Sequence, residues 1–481
     1  MPGRYEDALV LNGVSGSDGS YPFPRLTVQE MAARARGEKF DWTFLARLRR
    51  WLRDRVKPSL DVRAGGAAPR LDEGGWGVIF SEGCDPGIRE ALRPLLDWRR
   101  DQASAVQEGR FRELWGEQGY QPGDTKRSFL ERHEADLGAV DPDDIPYYLL
   151  LVGNPEQIPF EFQYELDLRH AVGRLDFDTV EEYARYAGNV VAVEKERRDS
   201  PADRQGSGAI FTPGNDDGVS LRMRSNLVGG LLSRFDAQPQ AGWSLDRVLD
   251  GEATREELVN LMGGCRTPDF LFTACHGLVF GAQDPCQREK QGALLCLRGA
   301  GEPLSSAVSA SEIPSEASLR GLITFHFACY GAGTPKHDDF GLRSQIAPRP
   351  FTARLPQRLL GGGALAVIGH VERAWTYSFQ GQRALQIDVF EDVIRRLLQG
   401  EPVGWALELL NFRYAELAAE LLTLMEREKI ETLRGDRDWD LCDVYSAAKD
   451  ARNYIVVGDP AARVAPTARS NGEKGEGDDR T

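Results

Sequence analysis

LFTACHGLVFG, residues 271–281, decides the reading of this chain. A short, nearly continuous apolar run bounded by glycine is the pattern of a strand buried on both faces. This run ends on His276 and Gly277. A second stretch, LITFHFACYGAG (322–333), has the same form and ends on Cys329. The two strand ends stand 53 positions apart (329 − 276).

The surrounding sequence places both runs in an alternating strand and helix pattern. GAIFTPG (208–214), GALLCL (292–297), GALAVIGH (363–370) and NYIVVGDPAARV (453–464) are further expected strands. SNLVGGLLSRF, opened by Ser225, TREELVNLMGG, RALQIDVFEDVIRRLLQG and the long run 405–429 carry helical spacing. Short apolar strands alternating with helices indicate a mostly parallel sheet covered on both faces. Upstream, WGVIFSEG (76–83) and IPYYLLLVGNPEQIPFEF (145–162) contain strands, and IREALRPLLDWRRDQASAV (88–106) a helix. HAVGRLDFDT leads from a strand into a helix capped by Thr179, with Glu182 three residues on. A helix is also expected near 27–55. The Pro-, Gly- and Ser-rich stretch 197–208 marks the boundary. The expected organisation is an N-terminal region 1–200 that includes a smaller α/β subdomain at about 76–196, a larger α/β domain 201–466, and a disordered charged tail 467–481.

Composition narrows the functions. The chain has 481 residues, 41% of them hydrophobic, enough for a sizeable core. Its net charge of −15 argues against a polyanionic partner, so no nucleic acid is expected. The basic cluster RLRRWLRDR (47–55) fits the solvated face of an amphipathic helix. The apolar runs are too short to span a bilayer and no secretory signal is evident, so a cytoplasmic location and no membrane partner are expected. The seven cysteines are odd in number, scattered and without a CxxC, which points to a reducing compartment and to no metal site. No cofactor is expected: neither GxGxxG nor a P-loop occurs. A GxSxG elbow is also absent.

Ligands of such sheets gather at the C-terminal strand ends, where His276 and Cys329 both fall. A cysteine with a histidine about 50 residues upstream is the caspase arrangement. A thiolate is the nucleophile and an imidazole its base, later protonating the leaving amine. The bare N–H of Gly277, with that of Cys329, makes a candidate oxyanion hole. His326 lies within its strand, His337 lies in a loop, and His370 ends the next strand as the competing partner for Cys329. Cys275 is taken as core.

FLFTACHG (270–277) and ITFHFACYGAGTP (323–335) resemble the caspase-like cysteine peptidases, in particular their gingipain-like and CHAT-type bacterial branch. YYLLLVGNPEQIPF, HAVGRLDFDT, GALAVIGHVERAW and NYIVVGDPAARV are similar to that branch as well. The resemblance covers roughly residues 145–465. Gingipain-like chains usually carry Asp where this one has Asn154. The resemblance implies a three-layer sandwich, a mostly parallel central sheet flanked by helices, preceded by a smaller α/β subdomain. It also implies a bacterial cysteine endopeptidase with a His276–Cys329 dyad, acting on protein substrates in an intracellular regulatory or defence role. A catalytically inactive scaffold that binds a protein partner is the alternative.

The same resemblance places part of the P1 pocket in the loop PGNDDGVSLRMRS (213–225). Asp216 and Asp217 favour Arg or Lys at P1, Arg222 and Arg224 favour Asp, and a salt-bridged surface turn is the third reading of that loop. Asp338 and Asp339 tilt the expectation toward a basic P1. Trp375 is either an apolar wall for substrate or core packing. The oligomeric state is left open.

Overall fold

The computed structural model of the chain describes residues 8–9, 13–20, 26–36, 68–135, 140–199, 205–299, 303–340, 344–380, 385–430 and 437–464. The basic cluster 47–55, most of the helix expected at 27–55, the linker residues 200–204 and the tail 467–481 lie outside them. What is described of that first helix is Val28–Ala35.

Ten strands form the main sheet. They are β1 (Trp76–Phe80), β2 (Phe111–Leu114), β3 (Tyr148–Val152), β4 (Ala171–Leu175), β5 (Gly206–Pro213), β6 (Trp243–Asp250), β7 (Phe270–Ala274), β8 (Ile323–Phe327), β9 (Ala366–His370) and β10 (Tyr454–Gly458). Their order is β2-β1-β3-β4-β10-β9-β8-β7-β5-β6. Within β2-β1-β3-β4-β10 every neighbouring pair is parallel, as is every pair within β9-β8-β7-β5-β6. The two blocks meet at the antiparallel pair β9–β10. The fold is therefore α/β, a large, mostly parallel central sheet flanked by helices, and the sheet runs unbroken through the regions before and after residue 200.

Alternation explains why both faces are covered. Tyr148, Leu150 and Val152 of β3 join Leu92, Leu95, Tyr183, Tyr186 and Val190, from helices Pro86–Ala91, Arg93–Ala103 and Val180–Asp199 and the joint between the first two. Leu149 and Leu151 join Phe129, Leu130, Phe162 and Leu166 from helices Lys126–Arg132 and Phe160–Leu166. Successive side chains of a strand point to opposite faces, so an unbroken apolar run requires two covering layers. The cap expected at Thr179 is formed: its N–H donates to Glu182 (3.0 Å), and the Glu182 N–H donates back to Oγ1 (3.3 Å).

Other expectations shift. The helix expected to open at Ser225 starts earlier, at Gly218, because the Asp217 carboxylate caps it. GALLCL supplies only the two-residue strand Leu294–Leu295, paired with Ala307–Val308 outside the main sheet. Among the described residues no helix is long and apolar enough to cross a membrane.

The C-terminal strand β10 is tied to the first block by a buried ion cluster. Arg99 Nε donates to Asp459, directly after β10, at 2.7 Å, and its Nη1 donates to Glu194 at 2.7 Å. The Trp76 indole donates to the same Asp459 at 3.0 Å. Removing one member of a buried cluster leaves the others desolvated and unpaired, which costs more than the pair contributes. Arg99→Ala should lower unfolding stability by about 3–5 kcal/mol, read from urea denaturation. A loss within the range of an ordinary surface substitution would show that the cluster does not hold β10.

Candidate active site

The geometry begins with register. Phe270 pairs with Ile323 and Ala274 with Phe327, a constant offset of 53 (327 − 274) along β7 and β8. His276 and Cys329 carry the same offset, two residues beyond the last pair. The Cys275 N–H donates to the Phe327 carbonyl at 3.2 Å and continues the ladder past the strands. Adjacent strands lie about 4.8 Å apart, so the histidine and the cysteine leave the sheet side by side. Apolar packing sets the register: Phe272 meets Phe325 at 5.3 Å between ring centroids, and Phe327 meets Phe390 of helix Asp388–Leu398 at 5.7 Å.

Gly277 makes this approach possible. A Cβ on it would stand 1.9 Å from the Cys329 carbonyl oxygen and 3.0 Å from the Cys329 nitrogen. Any side chain would push the two strand ends apart. Among the described residues no acceptor takes the N–H of Gly277 or that of Cys329. Buried backbone donors are almost always paired, so two without an acceptor among the described residues, beside a thiol, make a candidate anion-accepting corner. After Cys329 the chain turns sharply: Tyr330 has φ +57°, rare for a residue with a side chain. Its N–H donates to the Glu372 carbonyl at 2.9 Å, which holds the turn.

The third member of the site comes from β5. Strands β5 and β7 are neighbours, but the chain visits the edge strand β6 between them, so their C-terminal ends flank a switch in strand order, where crevices open. Asp217 lies in the loop after β5. Its Oδ1 accepts the N–H groups of Val219 (3.1 Å) and Ser220 (2.8 Å), and its Oδ2 accepts the Ser220 hydroxyl at 2.7 Å. His276 Nε2 lies 3.1 Å from Oδ1. Burial on its own would raise the Asp217 pKa. The hydrogen bond and charge of His276 and the donors of Ser220 outweigh it and hold the carboxyl well below the usual range. Thr212 Oγ1 donates to the Ala274 carbonyl (2.8 Å) and fixes the end of β5 against β7.

His276 and Cys329 are each only 1% exposed. Burial pushes the Cys329 thiol up, against a weaker lowering effect of its contact with the Ala374 carbonyl, 3.7 Å from Sγ. Burial pushes Cys275 up to about 12, and this cysteine sits within the apolar core. His370 has Nδ1 2.8 Å from the Glu372 carbonyl and Nε2 3.0 Å from the Asp450 carbonyl, so both its nitrogens are bound to backbone oxygens rather than to Cys329. His326 is buried beside Thr273 at 2.8 Å, and burial lowers its pKa to about 3. His337 is exposed.

The residues expected in the substrate pocket scatter. Asp217 stands on His276. Asp338 is bound by Arg373 and Asp339 by Arg452, and Arg373 Nε also binds Glu372 at 3.1 Å. Arg224 pairs with Asp250, both about half exposed, the geometry of a surface salt bridge. Asp216 and Arg222 are exposed. The Trp375 ring is buried against Phe340 at 4.7 Å, in a cluster with Met31, Tyr414 and Leu441. The sequence reading took Asp217 as a pocket residue and did not show its contact with His276. The available signal was an Asp before a helical run at a strand's C-terminal end.

Asp217→Asn should cost about 1–3 kcal/mol at pH 7. Because the folded-state pKa is depressed, this stabilisation is complete above the unfolded carboxyl value of about 3.9. It fades as pH falls from there through the folded value. Parent and variant urea midpoints should therefore converge in acid; a difference that grows there would contradict the lowered Asp217 carboxyl.

No protein-family model matches the chain, and no curated protein matches it. Among solved structures it is similar to a structure described as that of a protease, with TM-score 0.47 and 12% identity over 81% of this chain and 78% of the other. It is similar to the complex of the Porphyromonas gingivalis RgpB pro- and mature domains, with TM-score 0.47 and 14% identity over 81% and 80%. It is also similar to the Saccharomyces cerevisiae separase–securin complex, with TM-score 0.31 and 11% identity over 66% of this chain and 16% of that one. These likenesses concern the path of the chain, and no residue role is carried over from them.

Proposed function

We propose that this chain is a cysteine endopeptidase of caspase-like type that cleaves protein substrates with Cys329 as nucleophile and His276 as base. The observation that carries the reading is the shared 53-residue offset of β7 and β8, whose adjacent ends carry His276, Cys329 and two backbone N–H groups that no acceptor takes among the described residues. Asp217 accepts from Nε2–H of His276, which leaves Nδ1 as the nitrogen that exchanges a proton with Sγ. The thiol, kept protonated by burial, passes its proton to Nδ1 as sulfur attacks the scissile carbonyl carbon. The carbonyl oxygen gains the charge and accepts from the N–H groups of Gly277 and Cys329. His276 then protonates the leaving amine, and a water deprotonated by the same imidazole releases the acyl group.

A basic P1 preference now rests on Asp216, since Asp217, Asp338 and Asp339 are engaged by His276, Arg373 and Arg452. An intracellular regulatory or defence role belongs to the same proposal. The second reading, an inactive scaffold that binds a protein partner, is favoured by one observation, the enclosure of both His276 and Cys329.

Arg-, Lys-, Asp- and Leu-terminated fluorogenic peptides, with peptide chloromethyl ketones as labels, separate the readings. Hydrolysis should fall at least about a thousandfold in Cys329→Ala and in His276→Ala. Activity that survives Cys329→Ala rules out this nucleophile, and best cleavage after Asp rules out the basic P1. No hydrolysis and no label on Cys329, even in chains opened as described next, supports the scaffold.

A further inference from the structure

Gly13, at the start of the described stretch 13–20, passes over the thiol. Val14–Ser15 pairs in parallel with Leu278–Val279, the short strand that follows His276 and Gly277. The Gly16 N–H donates to the Val279 carbonyl at 3.0 Å, and the Val14 N–H reaches the Gly277 carbonyl at 3.5 Å. At Gly13 the backbone takes φ +112°, and the position a Cβ would occupy lies 3.7 Å from Cys329 Sγ and 2.8 Å from Val279 Cγ2. Only a residue without a side chain passes here. A Cβ on Gly16 would stand 2.1 Å from the Phe280 ring, so there too the main chain passes too close for a side chain. The segment closes on itself, with the Ser15 N–H donating to the Ser20 carbonyl at 2.7 Å and the Gly19 N–H to the Ser15 carbonyl at 2.9 Å.

We infer that residues 13–16 occupy the groove meant for an extended peptide, with the edge of Leu278–Val279 as its docking strand. This rests on the peptidase reading for the identity of the peptide as substrate. The contact is main chain to main chain, the mode by which a sheet edge takes an added strand regardless of most side chains. Within the segment one apolar side chain anchors it, Val14, which enters the cluster of Leu278, Phe280, Ala293, Leu295 and Ala307. Glycines at 13, 16 and 19 bring no further side chain. A peptide that pairs over a longer stretch displaces it. The groove therefore selects unfolded or extended segments of a substrate over helices, and the thiol stays enclosed until the strap leaves.

The test uses the full chain and two substitutions outside the catalytic groups. Gly13→Val places a side chain where φ and space forbid one, and Gly16→Pro removes the N–H given to Val279. Iodoacetamide labelling of Cys329, read by peptide mass mapping, should be slow in the parent chain and should rise about tenfold or more in both variants, as local opening governs it. Far-UV circular dichroism and the thermal midpoint report that each variant is folded. A parent chain whose Cys329 labels as fast as its exposed Cys265 overturns the strap without recourse to any variant. So do folded variants whose labelling is unchanged. If labelling rises and no peptide is hydrolysed, the strap stands and the peptidase reading falls. If the parent hydrolyses peptides as fast as the variants, the peptidase stands and the strap falls.

Discussion

One offset governs the site: paired positions of β7 and β8 differ by 53 residues. It is set deep in the sheet, where Phe272 packs on Phe325 and both Phe325 and Phe327 pack on Phe390. A slip of one residue would turn every side chain of a strand to the opposite face. The aromatic packing thus works at a distance from His276 and Cys329 and still sets their positions, because the last two residues of each run inherit the register. Gly277 is the local condition for the same constraint, since the Cys329 carbonyl fills the place of its side chain.

Around this pair the fold spends charged groups on holding loops. Glu372 and Asp338 bind Arg373, and Asp339 binds Arg452, all close behind the turn at Tyr330. A buried charge is tolerated only when paired, so these groups lock the loop 330–340 against the helix Arg437–Arg452 and the end of β9. A strained turn such as the one at Tyr330 persists only where its surroundings over-determine it. Asp217 differs from these acids, since its partners are a helix start and an imidazole. Asp217 thus touches His276 directly, and the others brace the loop behind Cys329.

Much of the sheet was legible in the sequence. Strands β1, β3, β4, β5, β7, β8, β9 and β10 lie within apolar runs that carry the signal of two-sided burial. Strands β2 and β6 were not named, because they lie at the edges and mix exposed with buried positions. The antiparallel entry of β10 between β4 and β9 was invisible, because direction leaves no mark in composition. At the site, His276, Cys329 and Gly277 were legible as residue types at strand ends. The contact of Asp217 with His276 was not legible, because a hydrogen bond across 59 positions has no local pattern. Asp338 and Asp339 looked available because their arginines lie far along the chain, one of them at position 452.

The sequence by itself determined that the protein is a covered, mostly parallel α/β sheet and that a histidine and a cysteine end two of its strands. Local spacing suffices for that, since burial and hydrogen bonding of a strand are written in its own residues. The tertiary structure decided which groups meet: Asp217 with His276, Gly277 with the Cys329 peptide, Gly13 over the thiol. Those contacts depend on the order of the strands and on residues far apart in the chain, and only the packed core brings them together.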